Sequence, residues 1–268
     1  QVGQDILSQM MLGARVSMVG RVGKDLFGEE QIASLKASGV DTSGIIQDSE
    51  APSGVASVMI DPNGQNRIVI VPGANFRCSV SDVENSRDLI AEADVLLLQF
   101  EIPMESIVRA IEIASEVGTP VILNPAPARE IDSAVLSRVS ILTPNEVEAE
   151  QLTGISVKSF GDAAEAARRL LSYGVGAVVI TLGERGALVL DRESQEPVEI
   201  QAYKVKAVDT VGAGDSFNGA LAALLAEGAT LAEAARYATA VAAIAVTRPG
   251  AQAGIPYRHE VEAFLEAN

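Results

Sequence analysis

The segment VGAGDSF, at residues 211–217, places a carboxylate directly after three small residues and before an alanine- and leucine-rich helical pattern. The first N–H groups of a helix have no partner within it, and the helix dipole adds positive charge there. Gly212, Ala213 and Gly214 have almost no side chain, so an anion such as a phosphoryl group could approach these N–H groups. Asp215 projects to the same place and could accept a proton from an attacking hydroxyl. This chemistry is phosphoryl transfer with a carboxylate base.

A plainer interpretation of the same segment stays open. An acidic residue in the first turn of a helix is favourable by itself, and for an isolated GAGD this is the more frequent explanation. Two common nucleotide-binding motifs are missing, since the chain has neither G-x-x-x-x-G-K-[ST] nor an early G-x-G-x-x-G. Phosphoryl transfer would therefore need another scaffold.

Composition excludes several classes of function. The formal net charge of -16 opposes binding to a phosphate backbone, so we expect no nucleic-acid partner. Cys78 is the single cysteine and predicts a buried thiol in a cytoplasmic protein. His259 is the single histidine and lies in the polar run PYRHEVE, which argues against a His-based triad or metal site. No apolar run approaches the roughly 18 residues of a membrane span, so we expect no membrane contact.

The elements that must position this segment alternate along the chain. Apolar strand patterns at 15–20, 94–100, 119–126, 140–146 and 176–183 alternate with helical patterns. This alternation predicts an α/β fold with a doubly wound, mostly parallel sheet flanked by helices. Ligands of such sheets bind at the carboxyl ends of the strands, and polar residues collect there: Gln99, Glu101, Asn124, Thr143, Asn145, Glu146, Thr181, Gly183 and Glu184.

Two segments interrupt the alternation. The runs 53–61 and 65–73 flank the turn PNGQ, which predicts a β-hairpin, and residues 187–203 predict a second antiparallel pair. We therefore expect an α/β core from residues 1–52 and 73–268, with the hairpin at 53–72 as an excursion from it.

Most of the chain resembles the ribokinase-like (PfkB) carbohydrate kinases. AVDTVGAGDSFNGAL is similar to the carboxyl-terminal signature of that family. Further segments follow in the family's order: MVGRVGKDLFG, LKASGVDTSGI, PSGVASVMIDPNGQNRIVIVPGAN, QFEIP, ILNPAPAR, LTPNEVEAEQLTG, VVITLGERGAL and VTRPGAQAGIP. Within the family, the pattern is most similar to the members that phosphorylate ribose.

The resemblance implies a role for each matching residue. Asp215 would be the catalytic base, and Gly212, Ala213 and Gly214 the anion hole for the transferred phosphoryl group. ATP would bind at Asn145, Thr181, Gly183, Glu184 and Gly186. Asn145 could equally be an ordinary helix cap, and the TLGERG turn an ordinary connection between strands. Glu101 would contact the sugar, although an exposed carboxylate at a strand end is the alternative.

The resemblance also implies two cations. Glu148, in the N-x-x-E pattern of TPNEVE, would help to organise Mg²⁺ and the phosphates. A monovalent cation, usually K⁺, would lie beside the anion hole, with ligands from Asp209, Val211, Ala245, Arg248 and Gly250. Gly254 stands where some ribose-phosphorylating members have Ser, which would weaken that site.

We expect an ATP-dependent kinase that converts D-ribose to D-ribose 5-phosphate. The hairpin at 53–72 resembles half of the family's small β lid, which implies a lid over the sugar and a homodimer formed through it. Fructose, 2-keto-3-deoxygluconate or a nucleoside is the alternative substrate within the family, and a truncated, non-catalytic nucleotide-binding protein is the alternative outside it. The chain starts after nearly all of the family's opening part: the Asn-x-Asp pair has no counterpart, and QVGQDILSQMMLGA aligns only loosely with the end of the GGKGAN helix. We therefore expect the sequence to be part of a longer protein.

Overall fold

The computed structural model describes residues 8–60, 66–250 and 253–268. Residues 1–7 of the predicted core and the whole of the predicted PNGQ turn lie outside these ranges. The strands are β1 (Ser17–Gly23), β2 (Asp41–Asp48), β3 (Val55–Ile60), β4 (Asn66–Val71), β5 (Leu96–Leu98), β6 (Val121–Leu123), β7 (Ile141–Leu142), β8 (Ala177–Thr181), β9 (Ala187–Asp191) and β10 (Val198–Ile200).

Helices connect most of these strands. They are α1 (Leu26–Ala37), α2 (Val80–Asn85), α3 (Arg87–Ala91), α4 (Met104–Val117), α5 (Ser133–Leu136), α6 (Glu146–Thr153), α7 (Phe160–Ser172), α8 (Ala213–Ala226), α9 (Leu231–Ala245) and α10 (Arg258–Ala267). Short 3₁₀ helices occupy Gly73–Arg77 and Gly183–Arg185. None of the helices in the described ranges is long and apolar enough to cross a membrane.

A six-stranded sheet forms the centre of the fold, in the order β10-β9-β8-β7-β6-β5. Strands β5 to β8 are parallel, and β9 and β10 are antiparallel to their neighbours. Successive side chains of β8 enter different cores: Val178 and Ile180 pack with α4, α6 and α7, whereas Val179 packs with α8, α9 and α10. Because strand side chains alternate between faces, this confirms an α/β sandwich with helices on both sides of a mostly parallel sheet.

Strands β1 and β2 form a separate parallel pair, and β3 and β4 form an antiparallel hairpin. Residues of β1 and β5 line opposite parts of a cavity of about 1190 Å³, which α1, α3 and α8 also border. Within the described ranges, β1 and β5 are not paired by main-chain hydrogen bonds. Side-chain packing and chain connections therefore join the two sheets.

Most of the predicted elements are present, and one strand was missed. Strand β2 follows α1 directly, but its sequence DTSGIIQD is too polar to resemble a buried strand. It is stabilised by polar contacts, because Arg21 of β1 and Arg77 both donate to the buried Asp48 carboxylate at 2.7 Å. Cys78 is buried and His259 is exposed, as the sequence predicts.

Candidate active site

The amino end of α8 is open to an approaching anion. Gly212 precedes the helix with a φ of 79°, a left-handed conformation that favours glycine, and no side chain caps the helix. A methyl group added to Gly214 would meet no atom within 4 Å. The Ala213 N–H makes a long bond of 3.3 Å to the Thr210 carbonyl, whereas the Gly214 position borders free space, which suits a phosphoryl group.

Asp215 is buried in the first turn of this helix. Residues 215–223 of α8 are buried, and Asp215 is 9% exposed. Its Oδ2 atom is buried without a hydrogen-bond partner among the described residues. Burial, aided by the negative charge of Glu101, raises the pKa of Asp215 to about 6. The group remains mostly ionised at pH 7 and can accept a proton, as a general base must.

Glu101 follows β5 at the carboxyl end of the sheet. Burial raises the pKa of its carboxyl group. Glu101 lines the large cavity together with Gln99, Val211 and residues of the β3–β4 hairpin. Asp215 does not line this cavity itself, but it lies near enough to Glu101 for the two charges to interact.

The turns after β7 and β8 contact each other. Thr181 donates its N–H to the Pro144 carbonyl at 3.0 Å, and Thr181 and Asn145 form a parallel bridge. Asn145 caps α6 by accepting from the Glu148 N–H, and Glu148 Oε2 accepts from the Asn145 N–H at 2.8 Å. Glu148 is 7% exposed, and burial raises the pKa of its carboxyl group. The Asn145 cap is thus present, and capping does not exclude a role in binding phosphate.

The glycines of the TLGERG turn differ in their surroundings. A side chain on Gly183 would meet nothing within 4 Å, although its φ of 54° favours glycine. A side chain on Gly186 would lie 2.0 Å from the Ile200 carbonyl oxygen, so Gly186 serves close packing of main chains. Gly183 therefore borders the space where a nucleotide could bind, together with Glu184.

The two loops predicted to hold a monovalent cation lie side by side. The N–H groups of Val208 and Asp209 donate to the Val246 carbonyl, and Asp209 accepts from the N–H groups of Val211 and Gly250 at 3.0 Å. A Cβ on Gly254 would lie 2.9 Å from the Ala245 oxygen and 3.1 Å from the Gly250 oxygen. Two carbonyls of the predicted set therefore lie close to Gly254, and each also accepts a main-chain N–H: the Gly250 carbonyl from Gly254 at 2.9 Å and the Ala245 carbonyl from Arg248 at 3.2 Å. The side chain of Arg248 pairs with Glu260, which leaves its main chain for such a site.

The described side chains do not form a divalent metal site by themselves. In the ranges that the structure covers, no group of three or more His, Cys, Asp or Glu side chains could hold a metal ion. A Mg²⁺ ion near Glu148 would thus need further oxygen ligands, and ATP phosphates and water are the natural ones.

One residue of this region was missed by sequence analysis. Arg185 lies in the turn after β8 and forms an ion pair with Glu146 at the start of α6, and Nη2 also donates to the Val157 carbonyl at 3.4 Å. The pair bridges 39 positions of sequence, so no local pattern identifies it.

Comparison with known proteins agrees with this geometry. The pfkB family carbohydrate kinases match residues 9–258. The chain is 39% identical to a ribokinase of Haemophilus influenzae over 255 residues, which cover 95% of the chain and 83% of that relative. It is 34% identical to a deoxyribokinase of Salmonella typhi, over 96% of the chain and 84% of that relative.

A solved structure supports the same assignment. The Arabidopsis thaliana ribokinase complexed with ribose and ATP superposes with a TM-score of 0.90 at 30% identity, over 98% of this chain and 86% of that one. The family match covers far more than half of the sequence, and the relatives exceed 30% identity over most of it. The chain therefore belongs to the pfkB family of carbohydrate kinases and is an ATP-dependent carbohydrate kinase.

Proposed function

We propose that this enzyme phosphorylates D-ribose at its primary hydroxyl to give D-ribose 5-phosphate. One observation carries the proposal: a buried carboxylate with an unpaired oxygen, Asp215, immediately follows an uncapped helix start with free space at Gly214. The relatives named ribokinase support ribose as the sugar.

Asp215 accepts the proton of the attacking hydroxyl as the hydroxyl oxygen bonds to the γ-phosphorus of ATP, while the bond from that phosphorus to its bridging oxygen breaks and ADP leaves. The pKa of about 6 leaves this carboxylate mostly ionised at neutral pH. It also makes Asp215 a stronger base than an ordinary aspartate, because its pKa lies closer to the pH at which the enzyme works. The N–H groups of Gly212, Ala213 and Gly214 stabilise the negative charge on the transferred phosphoryl group, and losing one such donor typically costs about 10²–10³-fold in rate.

ATP binds across the turns after β7 and β8, with Asn145, Thr181, Gly183, Glu184 and Gly186 as the proposed contacts. Glu148 helps to hold Mg²⁺, which neutralises phosphate charge when it is bound. Asp209 fixes the neighbouring loop by accepting two main-chain N–H groups. The carbonyl groups of Val211, Ala245, Arg248 and Gly250 would hold K⁺, whose positive charge would support the anion hole without taking part in proton transfer.

Glu101 contacts the sugar, and the β3–β4 hairpin at 53–72 acts as a lid on the core formed by the rest of the chain. The hairpin exposes Val55, Val69, Ile70 and Val71, each about half accessible. This apolar surface supports a homodimer formed through the lid. A cytoplasmic location is proposed with it, because the single cysteine is a free, buried thiol.

A second sugar is favoured by a specific observation. The deoxyribokinase relative shares 34% identity over 96% of the chain, so 2-deoxyribose competes with ribose as the substrate. Fructose, 2-keto-3-deoxygluconate and nucleosides remain the other candidate substrates. A non-catalytic nucleotide-binding protein would not need the buried Asp215 carboxylate as a base, which argues against that role.

The test is release of ADP from ATP in the presence of ribose, 2-deoxyribose, fructose, 2-keto-3-deoxygluconate and a nucleoside. We expect the highest kcat/KM with ribose and a loss of about 10³-fold or more in D215N, because the base contributes at least about 10² and its charge is also removed. D162N is the matched control, a partly exposed acid at the same position of α7. Equal turnover by D215N, or a preference for another sugar, would contradict the proposal.

A further inference from the structure

The motif GKDLFG, at residues 23–28, has no role in the site described so far. Gly23 ends β1, Asp25 caps α1, and Gly28 lies in the first turn of that helix. A Cβ on Gly23 would lie 2.3 Å from the Ser53 nitrogen, and one on Gly28 would lie 2.1 Å from the Gly23 oxygen. The motif is therefore packed against main chain too closely for any side chain at its two glycines.

The segment packed on this motif is the base of the β3–β4 hairpin. We call residues 52–54 and 72–74 the hairpin root, since the chain enters and leaves the hairpin there. Ala74 donates its N–H to the Pro52 carbonyl at 2.8 Å, and a Cβ on Gly73 would lie 2.3 Å from the same oxygen. The two sides of the hairpin root are thus in direct contact.

Asp25 and Ser53 hold the hairpin root onto the end of β1. Asp25 Oδ1 accepts from the Ser53 hydroxyl at 2.7 Å, and Oδ2 accepts from the Ser53 N–H at 2.8 Å. The Ser53 hydroxyl in turn accepts from the Gly23 N–H at 2.9 Å. Ser53 is 2% exposed, whereas Asp25 is half-buried, so losing the Asp25 acceptor would leave the buried groups of Ser53 without a partner.

The orientation of the hairpin root decides what the hairpin covers. Gly54, Val55, Ala56, Ile70 and Val71 line the same cavity as Glu101. A small rotation at the root is amplified along the hairpin, because the strands that leave it are six residues long. A loosened root would therefore displace the hairpin from the sugar side of the cavity and leave the turns after β7 and β8 unchanged.

We propose that Asp25 is a positioning residue that, through its three bonds to Ser53 and Gly28, fixes the β3–β4 hairpin over the sugar site. The inference rests on the proposed function, since it assumes that the sugar binds at Glu101. Asp25 touches neither substrate in this scheme and acts only through Ser53.

The D25N and D25A variants separate two roles of this side chain. Asparagine is as good a helix cap as aspartate, so Oδ1 of D25N still accepts from Gly28. In D25N an NH₂ group replaces Oδ2. This group cannot accept from the Ser53 N–H, so two hydrogen-bond donors face each other there. D25A loses the cap as well. S159A removes the equivalent serine cap of α7 and serves as the stability control.

The first measurement compares KM for ribose with KM for ATP. We expect D25N and S53A to raise the ribose KM about fivefold or more, since small misplacements of a site are costly, and to change the ATP KM less than about twofold. S159A should change neither KM. A ribose KM unchanged in D25N, or an equal rise of both KM values, would overturn the inference.

A second measurement does not depend on turnover. Hydrogen exchange of peptides spanning 49–56 and 69–77 should be faster in D25N than in the wild-type enzyme, whereas exchange in β8 stays the same. If wild-type enzyme phosphorylates none of the sugars, the proposed function fails, and faster exchange at the root still supports anchoring by Asp25. Unchanged exchange at the hairpin root would refute the anchoring itself.

Discussion

Asp162 and Asp215 occupy the same position in two long helices: each is the third residue of its helix and follows a glycine. Their carboxyl groups nevertheless have opposite surroundings. Asp162 accepts from the Ser159 N–H at 2.9 Å, and its bonds to Ser159 lower its pKa. Asp215 is preceded by Gly212 in place of a capping serine, is buried, and has a raised pKa. The plain explanation of a first-turn acid therefore fits Asp162 and does not fit Asp215.

The first prediction concerns pH. With the pKa of Asp215 near 6, kcat/KM should fall as pH drops through 6, because the protonated acid cannot accept a proton. Replacing Glu101 by Gln removes a negative charge that raises this pKa, so the acid limb should move to lower pH while the ribose KM rises. A kcat/KM profile from pH 4.5 to 8 checks the position of the acid limb, and D162N, which alters a partly exposed acid on another helix, should leave that limb in place.

The second prediction concerns stability. Because the pKa of Asp215 is raised in the folded state, its contribution to stability is fully present below the unfolded pKa of about 4 and is lost as pH rises through 6. D215N should therefore be more stable than wild type at pH 7 by about 1–3 kcal/mol, with the gain vanishing near pH 4. D162N should lose stability at pH 7, since the pKa of Asp162 is lowered. Urea unfolding at both pH values measures this, and a destabilised D215N at pH 7 would count against it.

The third prediction uses a matched pair of glycines. Gly214 and Gly161 are both the second residues of their helices, and a methyl group at either meets no main chain within 4 Å. Alanine should stabilise each helix by up to about 1 kcal/mol. G214A should nevertheless lower kcat by about 10²-fold, because its methyl group occupies the space for the phosphoryl group, whereas G161A should keep wild-type kcat. Thermal unfolding and steady-state kinetics distinguish the two, and equal kcat values would remove the anion hole from the mechanism.

The fourth prediction concerns the ion pair of Arg185 with Glu146, which joins the two turns proposed to bind ATP. E146Q and R185Q should raise the ATP KM about three- to tenfold and leave the ribose KM within about twofold, since only the nucleotide side loses its bracing. The surface pair of Arg87 with Glu116 provides R87Q as a control without effect on either KM. A larger change in the ribose KM than in the ATP KM would show that the pair acts elsewhere.

The fifth prediction concerns the monovalent cation. Alanine at Gly254 would place its methyl group about 3 Å from the carbonyl oxygens of Ala245 and Gly250, so the oxygens must shift. G254A should therefore raise the K⁺ concentration for half-maximal activation about tenfold or more, as two ligands are displaced. Activity measured against K⁺ concentration at constant ionic strength is the check. Activation identical to wild type would place the cation away from Gly254.

Regular elements were predictable because their patterns are local. The apolar runs of β5 to β8 and the spacing of α4 and α7 identify a parallel sheet with helices on both sides. Strand β2 was missed because its sequence is polar, and two arginines on distant elements compensate its buried Asp48. The eight-residue sequence of β2 by itself cannot show that these arginines will contact Asp48.

The candidate site was predictable to the extent that its parts are contiguous. Asp215 and the preceding small residues form one segment, and so do Asn145 and Glu148. The approach of Glu101 to Asp215 and the bonds between Asp25 and Ser53 join residues far apart in sequence, so only the fold brings them together. Arg185 was overlooked for the same reason, although it lies inside a motif that drew attention for its glycines.

The division between the two sheets has a mechanical consequence. The hairpin continues from β2 of the smaller sheet, whereas α8, which carries Asp215, packs on the larger sheet, and residues of both β1 and β5 line a cavity of about 1190 Å³. Among the described residues the two sheets share no main-chain hydrogen bond, so each can move as a body against the other. A molecule that contacts both would draw them together, so small-angle scattering should record a smaller radius of gyration once both substrates are bound.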